Sequence, residues 1–220
     1  VNHDAFYVSH ALEPVQLPSQ AMVDGYLPAY APTHRLSTEI GESWGNVVSA
    51  EMFCRHRQAL DAAMEQALVS ALHADREWGE LTGRCHGIVE RYRCDGAQAV
   101  IVTLGSMCGT AREAVDLLRD SGQAVGLLKI RLFRPLPVQA LRAALVGVPD
   151  VVVLDRNHSP GLGGIVHQEL RGALYAMPNA PRIHGLLAGV GGVNVSPQKI
   201  VEMVRGAIGA QAAVESVWAR

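Results

Sequence analysis

The sequence predicts an α/β fold in which a mostly parallel sheet lies between two layers of helices, preceded by an extended arm and a long helix. Two observations carry this. Strand-sized apolar runs alternate with amphipathic helical stretches from about Asp95 onward, which is the pattern of strands joined by right-handed crossovers. The runs themselves are continuously apolar, as strands covered on both faces are.

The elements follow in order. From Glu13 to Ser43 the chain carries Pro14, Pro18, Pro28 and Pro32 among scattered Gly and Ser, so neither helical nor strand periodicity persists and a connecting arm is expected. A long helix is expected from about Ala50 to Trp78, with Met52, Leu60, Met64, Leu68 and Leu72 along one face. Gly83 caps it or opens the next loop. Ala99 to Leu104 reads as a buried strand, Gly105-Ser106 as a turn, and Thr110 to Ser121 as a helix stopped by Gly122. Ala124 to Ile130 is a second strand; Arg134-Pro135-Leu136-Pro137 is a stiff loop with Pro137 opening a helix from Val138 to Leu145. Val151 to Asp155 is a third strand, Gly161-Leu162-Gly163-Gly164 a loop, and Ile165 to Tyr175 a helix. Arg182 to Leu187 makes the fourth strand, and after Gly189-Val190-Gly191-Gly192 the last helix starts at Pro197 with Ser196 as its cap. The boundaries expected are 1–46 for the arm and what it closes, 47–94 for a helical linker, and 95–220 for the α/β domain.

Composition excludes several classes. With 220 residues, 49% of them hydrophobic, the chain is long enough to bury a sizeable core. Its 19 Lys plus Arg against 21 Asp plus Glu, with no like-charge run, argue against a nucleic-acid partner. Runs such as Val100 to Leu104 fall far short of the roughly 20 residues of a membrane helix, so no membrane partner is expected. No secretion signal opens the chain, and a cytoplasmic location is the default expectation. The start Val1-Asn2-His3-Asp4 reads as the end of a strand inside a domain, hence as a piece of a longer protein. Cys54, Cys85, Cys94 and Cys108 include no C-x-x-C pair, so reduced thiols are expected rather than a zinc or iron–sulfur site.

The candidate functional residues gather at strand ends. Thr103-Leu104-Gly105-Ser106, followed by Cys108-Gly109-Thr110, places small residues where a strand meets a helix N-terminus, a seat for an anion or simply a tight crossover turn. No G-x-G-x-x-G or Walker lysine is present, so the turn is the plainer account. Gly161-x-Gly-Gly and Gly189-x-Gly-Gly likewise read as permissive loops at the edge where open α/β sheets meet ligands or partners. Arg131 and Arg134, with Asp155 and Arg156, are expected at the same edge, as an ion-pair cluster or as guanidinium groups offered to an acidic ligand or partner. Asp4, Ser9 and His10 suggest acid–base chemistry but lack a third positioned group.

Taken in order, these segments resemble the 2-oxoacid:ferredoxin oxidoreductases, the pyruvate:ferredoxin oxidoreductase or pyruvate synthase family, at the C-terminal part of the α subunit. Asp4-Ala5-Phe6-Tyr7-Val8-Ser9-His10 resembles the family's Asp-Gly-Phe-x-x-Ser-His stretch, with Ala5 where the family has Gly. Leu81-Thr82-Gly83-Arg84 and Ala97 to Ser106 follow. Gly126-Leu127-Leu128-Lys129-Ile130-Arg131-Leu132-Phe133-Arg134-Pro135 is the most specific match, then Val153-Leu154-Asp155-Arg156 and Gly189 to Gly192 with Ser196-Pro197.

The resemblance implies that residues 1–46 close a pyrimidine-binding domain and that 95–220 are similar to the transketolase C-terminal domain. It implies oxidative decarboxylation of a 2-oxo acid, most simply pyruvate, to an acyl-coenzyme A. Thiamine diphosphate with Mg then serves the whole complex, and iron–sulfur clusters sit in partner subunits or domains. This chain alone is expected to bind none of these and to turn over nothing. The implied partners are thiamine-diphosphate-binding β, γ and ferredoxin-like subunits, with ferredoxin and coenzyme A reached through the complex. Ser9 and His10 would lie nearest the active-site side as candidate cofactor-binding residues, and Gly105, Ser106, Arg131, Arg134, Asp155 and Arg156 are candidates for subunit or domain contacts. The rivals are an oxidoreductase for 2-oxoglutarate, oxalate or an aryl glyoxylate, a transketolase-like enzyme, and a stand-alone nucleotide-binding or regulatory α/β module.

Overall fold

The computed structural model describes residues 5, 7–41, 43–45 and 47–219. The arm contains one short helix, α1 (Gln20–Tyr26), which the prolines do not forbid because it begins after Pro18. Ser19 caps it, its Oγ accepting from the Met22 N–H at 3.2 Å. Tyr26 Oη then donates to Glu77 Oε2 at 3.1 Å and ties the arm to α2 (Ala50–Thr82). That long helix is capped by Ser49, whose Oγ accepts from Met52 N, and it runs past Trp78 to Gly83. Gly83 stands at φ 72°, a left-handed stop that costs glycine little. Among its predicted face residues Met64 and Leu68 are half-buried, whereas Met52, Leu60 and Leu72 are exposed.

A six-stranded sheet follows, in the order β1 (Val89–Tyr92), β3 (Val125–Ile130), β2 (Ala99–Leu104), β4 (Asp150–Asp155), β5 (Arg182–Leu187), β6 (Val217–Trp218). The four strands expected from sequence form its parallel centre, with Ala99 opposite Val125 and Asp150 on its two sides. Two edge strands were not expected. β1 pairs antiparallel with β3, Val89 opposite Ile130, and lies inside the segment read as helical linker. β6 adds parallel to β5 at the other edge.

The period of two decides the layers. Ile101, Leu127, Val152 and Leu154 face one side and pack with α3 (Met107–Asp120) and α6 (Pro197–Ile208). Val100, Val102, Leu128 and Val153 face the other and pack with α4 (Val138–Leu145) and α5 (Ile165–Leu174). β2 and β4 are therefore covered on both faces, which is why their runs are apolar throughout. α3 starts at Met107, earlier than Thr110, because Gly105 at φ 66° completes the turn by itself. Burying a side chain such as Leu118 from α3 contributes about 1.5–3 kcal/mol. No described helix is long and apolar enough to cross a membrane.

Candidate functional site: the crevice at the switch point

From β2 the chain crosses over α3 on one face to β3; from β4 it crosses over α5 on the opposite face to β5, on the other side of β2. The carboxyl ends of the neighbouring β2 and β4 are thus a topological switch point, where helices leave in opposite directions and a crevice opens. It measures about 310 Å³ and is bordered by Thr103, Gly105, Asp155, Arg156 and the glycines Gly189 and Gly191.

Its floor is set by Asp155, which is buried. Asp155 Oδ1 accepts from Val166 N at 3.1 Å and Oδ2 from His167 N at 2.9 Å, so this carboxylate caps the N-terminus of α5 from the end of another strand. Asn157 Oδ1 accepts from Ile165 N at 3.1 Å and completes the cap. The approach requires glycine at 164, since a Cβ there would stand 2.2 Å from Asp155 Oδ2. Burial pushes the Asp155 carboxyl above the usual carboxylate range, opposed by the two backbone N–H groups. Thr103 Oγ1 donates to Leu154 O at 2.9 Å and locks the two strand ends together.

The rim is set by Arg156. Its Nη1 donates to Ser106 Oγ at 2.7 Å, and its guanidinium lies 5.1 Å from the centre of the Tyr7 ring. The arm therefore returns to the sheet edge two residues before Ser9. Ser9 Oγ and His10 Nδ1 are 2.7 Å apart and both residues are exposed; Asp4 lies outside the described residues.

Gly105, Ser106, Asp155 and Arg156 are brought together here. Arg131 and Arg134 are not. Arg131 Nη2 donates to Glu90 Oε2 at 2.6 Å on β1, because β1 occupies the flank of β3 that the sequence left open. Arg134 pairs with Glu169 of α5, and its guanidinium stacks 4.1 Å from the Phe133 ring centre. Thr103 belongs to the strand-to-helix run expected at this edge, whereas Tyr7 and Asn157 were not singled out as site residues. Nothing local marks Tyr7, and Asn157 caps Ile165 from eight residues upstream across the glycine loop, a spacing that no helix-start pattern carries.

Residues 97–200 match the family model described as pyruvate:ferredoxin oxidoreductase core domain II. Over 202 residues the chain is 37% identical to pyruvate synthase subunit PorA of Methanothermobacter thermautotrophicus, covering 92% of this chain and 52% of that protein. The chain belongs to the 2-oxoacid:ferredoxin oxidoreductase family. Other members include PorA of Thermotoga maritima, 34% identical over 209 residues (94% and 53% of the two chains), and ketoisovalerate oxidoreductase subunit VorA of Pyrococcus abyssi, 36% identical over 194 residues (87% and 49%). The chain spans about half the length of these curated relatives.

Within this oxidoreductase family the core domain II match runs from β2 into α6, so the crevice lies wholly inside it. Among the described residues, those bordering the crevice do not fit thiamine diphosphate and its metal. Asp155, the carboxylate in the crevice, is engaged by two backbone N–H groups, and among the described residues no group of three or more His, Cys, Asp and Glu is arranged to hold a metal ion. Cys54 and Cys85 are exposed, Cys94 and Cys108 buried, and all four are free thiols. Burial pushes the Cys108 thiol up to about 11, which keeps it protonated and unreactive near neutrality.

Proposed function

We propose that this segment is the core domain II region of an α-type subunit of a 2-oxoacid:ferredoxin oxidoreductase acting on pyruvate, and that it serves the enzyme by docking and assembly rather than by chemistry of its own. The observation that carries the reading is the 37% identity to a pyruvate synthase subunit over 92% of the chain, together with a crevice whose acidic group is engaged in holding α5. In the complete enzyme thiamine diphosphate with Mg would supply the carbanion chemistry, and iron–sulfur clusters in partner subunits would carry electrons to ferredoxin while coenzyme A takes the acyl group. The edge formed by Gly105, Ser106 and Arg156 would face the preceding domain, with Tyr7 as the first contact, and Ser9 and His10 would then lie toward the active site. Arg131 and Arg134 would belong to separate contact patches.

The test is made in the intact complex. Arg156→Ala in the full-length subunit should leave the other subunits folded but weaken assembly, seen as loss of complex at low protein concentration, with KM for the 2-oxo acid unchanged in what remains assembled. An Arg156→Ala complex that assembles normally while losing turnover would place this edge in the chemistry and end the docking reading. The VorA relative favours one second reading, a branched 2-oxo acid as substrate. Pyruvate and 2-oxoisovalerate compared by kcat/KM on the intact enzyme decide between them.

A further inference from the structure

Independently of that reading, we infer that a second cavity, between β1, β3 and the start of α3, binds a phosphate-class oxyanion. It measures about 340 Å³ and is bordered by Glu90, Tyr92, Cys108, Arg112, Lys129 and Arg131. Three cations converge there on one carboxylate. Arg112 Nη2 reaches Glu90 Oε1 at 2.6 Å, Arg131 Nη2 reaches Oε2 at 2.6 Å, and the Lys129 ammonium stands 3.9 Å from Oε2.

One carboxylate cannot neutralise three cations, so this set carries two positive charges in excess. The adjoining acids do not remove the surplus. Asp116 is matched by Arg93 at 2.6 Å, with Tyr92 Oη also donating to it at 2.9 Å. Asp75, which lies near enough to influence Arg131, accepts from the backbone N–H groups of His86 and Gly87, and counting its charge still leaves the cluster positive.

Lys129 is the telling member. At 3.9 Å its ammonium is outside hydrogen-bonding distance of Glu90, and no closer acidic partner occurs among the described residues. Its side chain is nonetheless only 27% exposed, beside Arg131 at 30%, so a strongly hydrated group is held in a concave recess. Arg112 is also fixed, its guanidinium lying 4.6 Å from the Tyr92 ring centre. Several cationic donors converging in a recess suit an anion with several oxygens, and a recess rather than a convex patch suits a small ligand. The first turn of α3 presents its positive dipole end to the same space at Cys108 and Gly109.

The test uses the intact complex in phosphate-free buffer, titrated calorimetrically with inorganic phosphate and, separately, with glycerol 3-phosphate. Lys129→Gln should lower phosphate affinity at this site by about tenfold or more, and Lys129→Arg should restore it. Glu90→Gln, which removes the competing carboxylate, should tighten binding. The probe that binds better identifies a free or an esterified phosphate as the ligand. Stoichiometry and affinity unchanged in Lys129→Gln, with the urea midpoint also unchanged, would overturn the assignment. So would binding seen only when the subunit is separated from its partners, which would mean that an acidic protein surface fills the recess.

Discussion

Asp155 offers the sharpest test of how the crevice is built. Replacing it with Ala removes both acceptors at the start of α5 and leaves the Val166 and His167 N–H groups buried without partners. Each stranded donor costs about 1–3 kcal/mol, so the gross loss is about 2–6 kcal/mol. Removing a buried carboxylate also relieves its desolvation, which is the largest influence on its proton affinity, and this returns part of the loss. A net destabilisation of about 2–4 kcal/mol follows for Asp155→Ala, a large share of a typical domain's 5–15 kcal/mol. Asp155→Asn keeps one acceptor but sets an NH2 group against the second N–H, so about 1–3 kcal/mol is expected.

The charge adds a pH signature. Because burial raises the folded carboxyl above its unfolded value, the folded state binds the proton more tightly. The resulting stability is fully present below the unfolded pKa of about 3.9 and is lost as pH rises through the folded pKa, so the wild-type advantage over Asp155→Asn should widen on acidification. Urea unfolding of the full-length subunit at several pH values measures this through the midpoint at constant slope. Both variants within about 0.5 kcal/mol of wild type would refute the cap, since that is the range of unremarkable surface changes.

Two further outcomes follow from the His167 ring, which the same first turn of α5 carries. Gly185→Ala places a Cβ 2.6 Å from His167 Nδ1 and 2.7 Å from Cγ of the same buried ring, so a loss of about 1–3 kcal/mol by overpacking is expected in thermal unfolding, with His167→Ala relieving much of it in the double variant. Burial lowers the His167 pKa, so the unfolded chain binds that proton more readily; the stability is full above the unfolded value of about 6.5 and falls as pH drops through the folded value. Urea midpoints taken across that range should therefore decline more steeply in the wild type than in His167→Leu.

The parallel centre was legible because its signals are local. The bounds of α4 and β5 fall where the sequence placed them, since Pro137 is disfavoured inside a helix and so marks where one can begin, and Arg182 to Leu187 is a strand-length run, ending in Leu186-Leu187, between two turns. β1 was not legible for the opposite reason. Val89-Glu90-Arg91-Tyr92 is four residues with two charges, too brief for a period of two, and what makes it a strand is its antiparallel register with Leu127 to Ile130. The grouping of candidate residues failed at the same point. Arg131 turns toward Glu90 because β1 is there, and Arg134 turns toward Glu169 because α5 packs beside its loop. Asp155 and Val166 are joined by a cap across an intervening glycine loop, which no helix-start rule anticipates from spacing.

The two cavities are opposite electrostatic cases, and this bears on what each can do. In the crevice the carboxylate is answered by fixed backbone dipoles and the guanidinium by a hydroxyl and an aromatic ring, so each charge is engaged within the fold. A site in that condition offers shape and orientation, which suits a surface that holds two domains in register. Around Glu90 the cations outnumber the carboxylate and one of them lacks hydrogen-bonding contact with it, so the fold leaves attraction for an anion unanswered. Substitutions should separate the two: Arg156 should govern assembly with little dependence on phosphate, and Lys129 should govern phosphate binding with little effect on assembly.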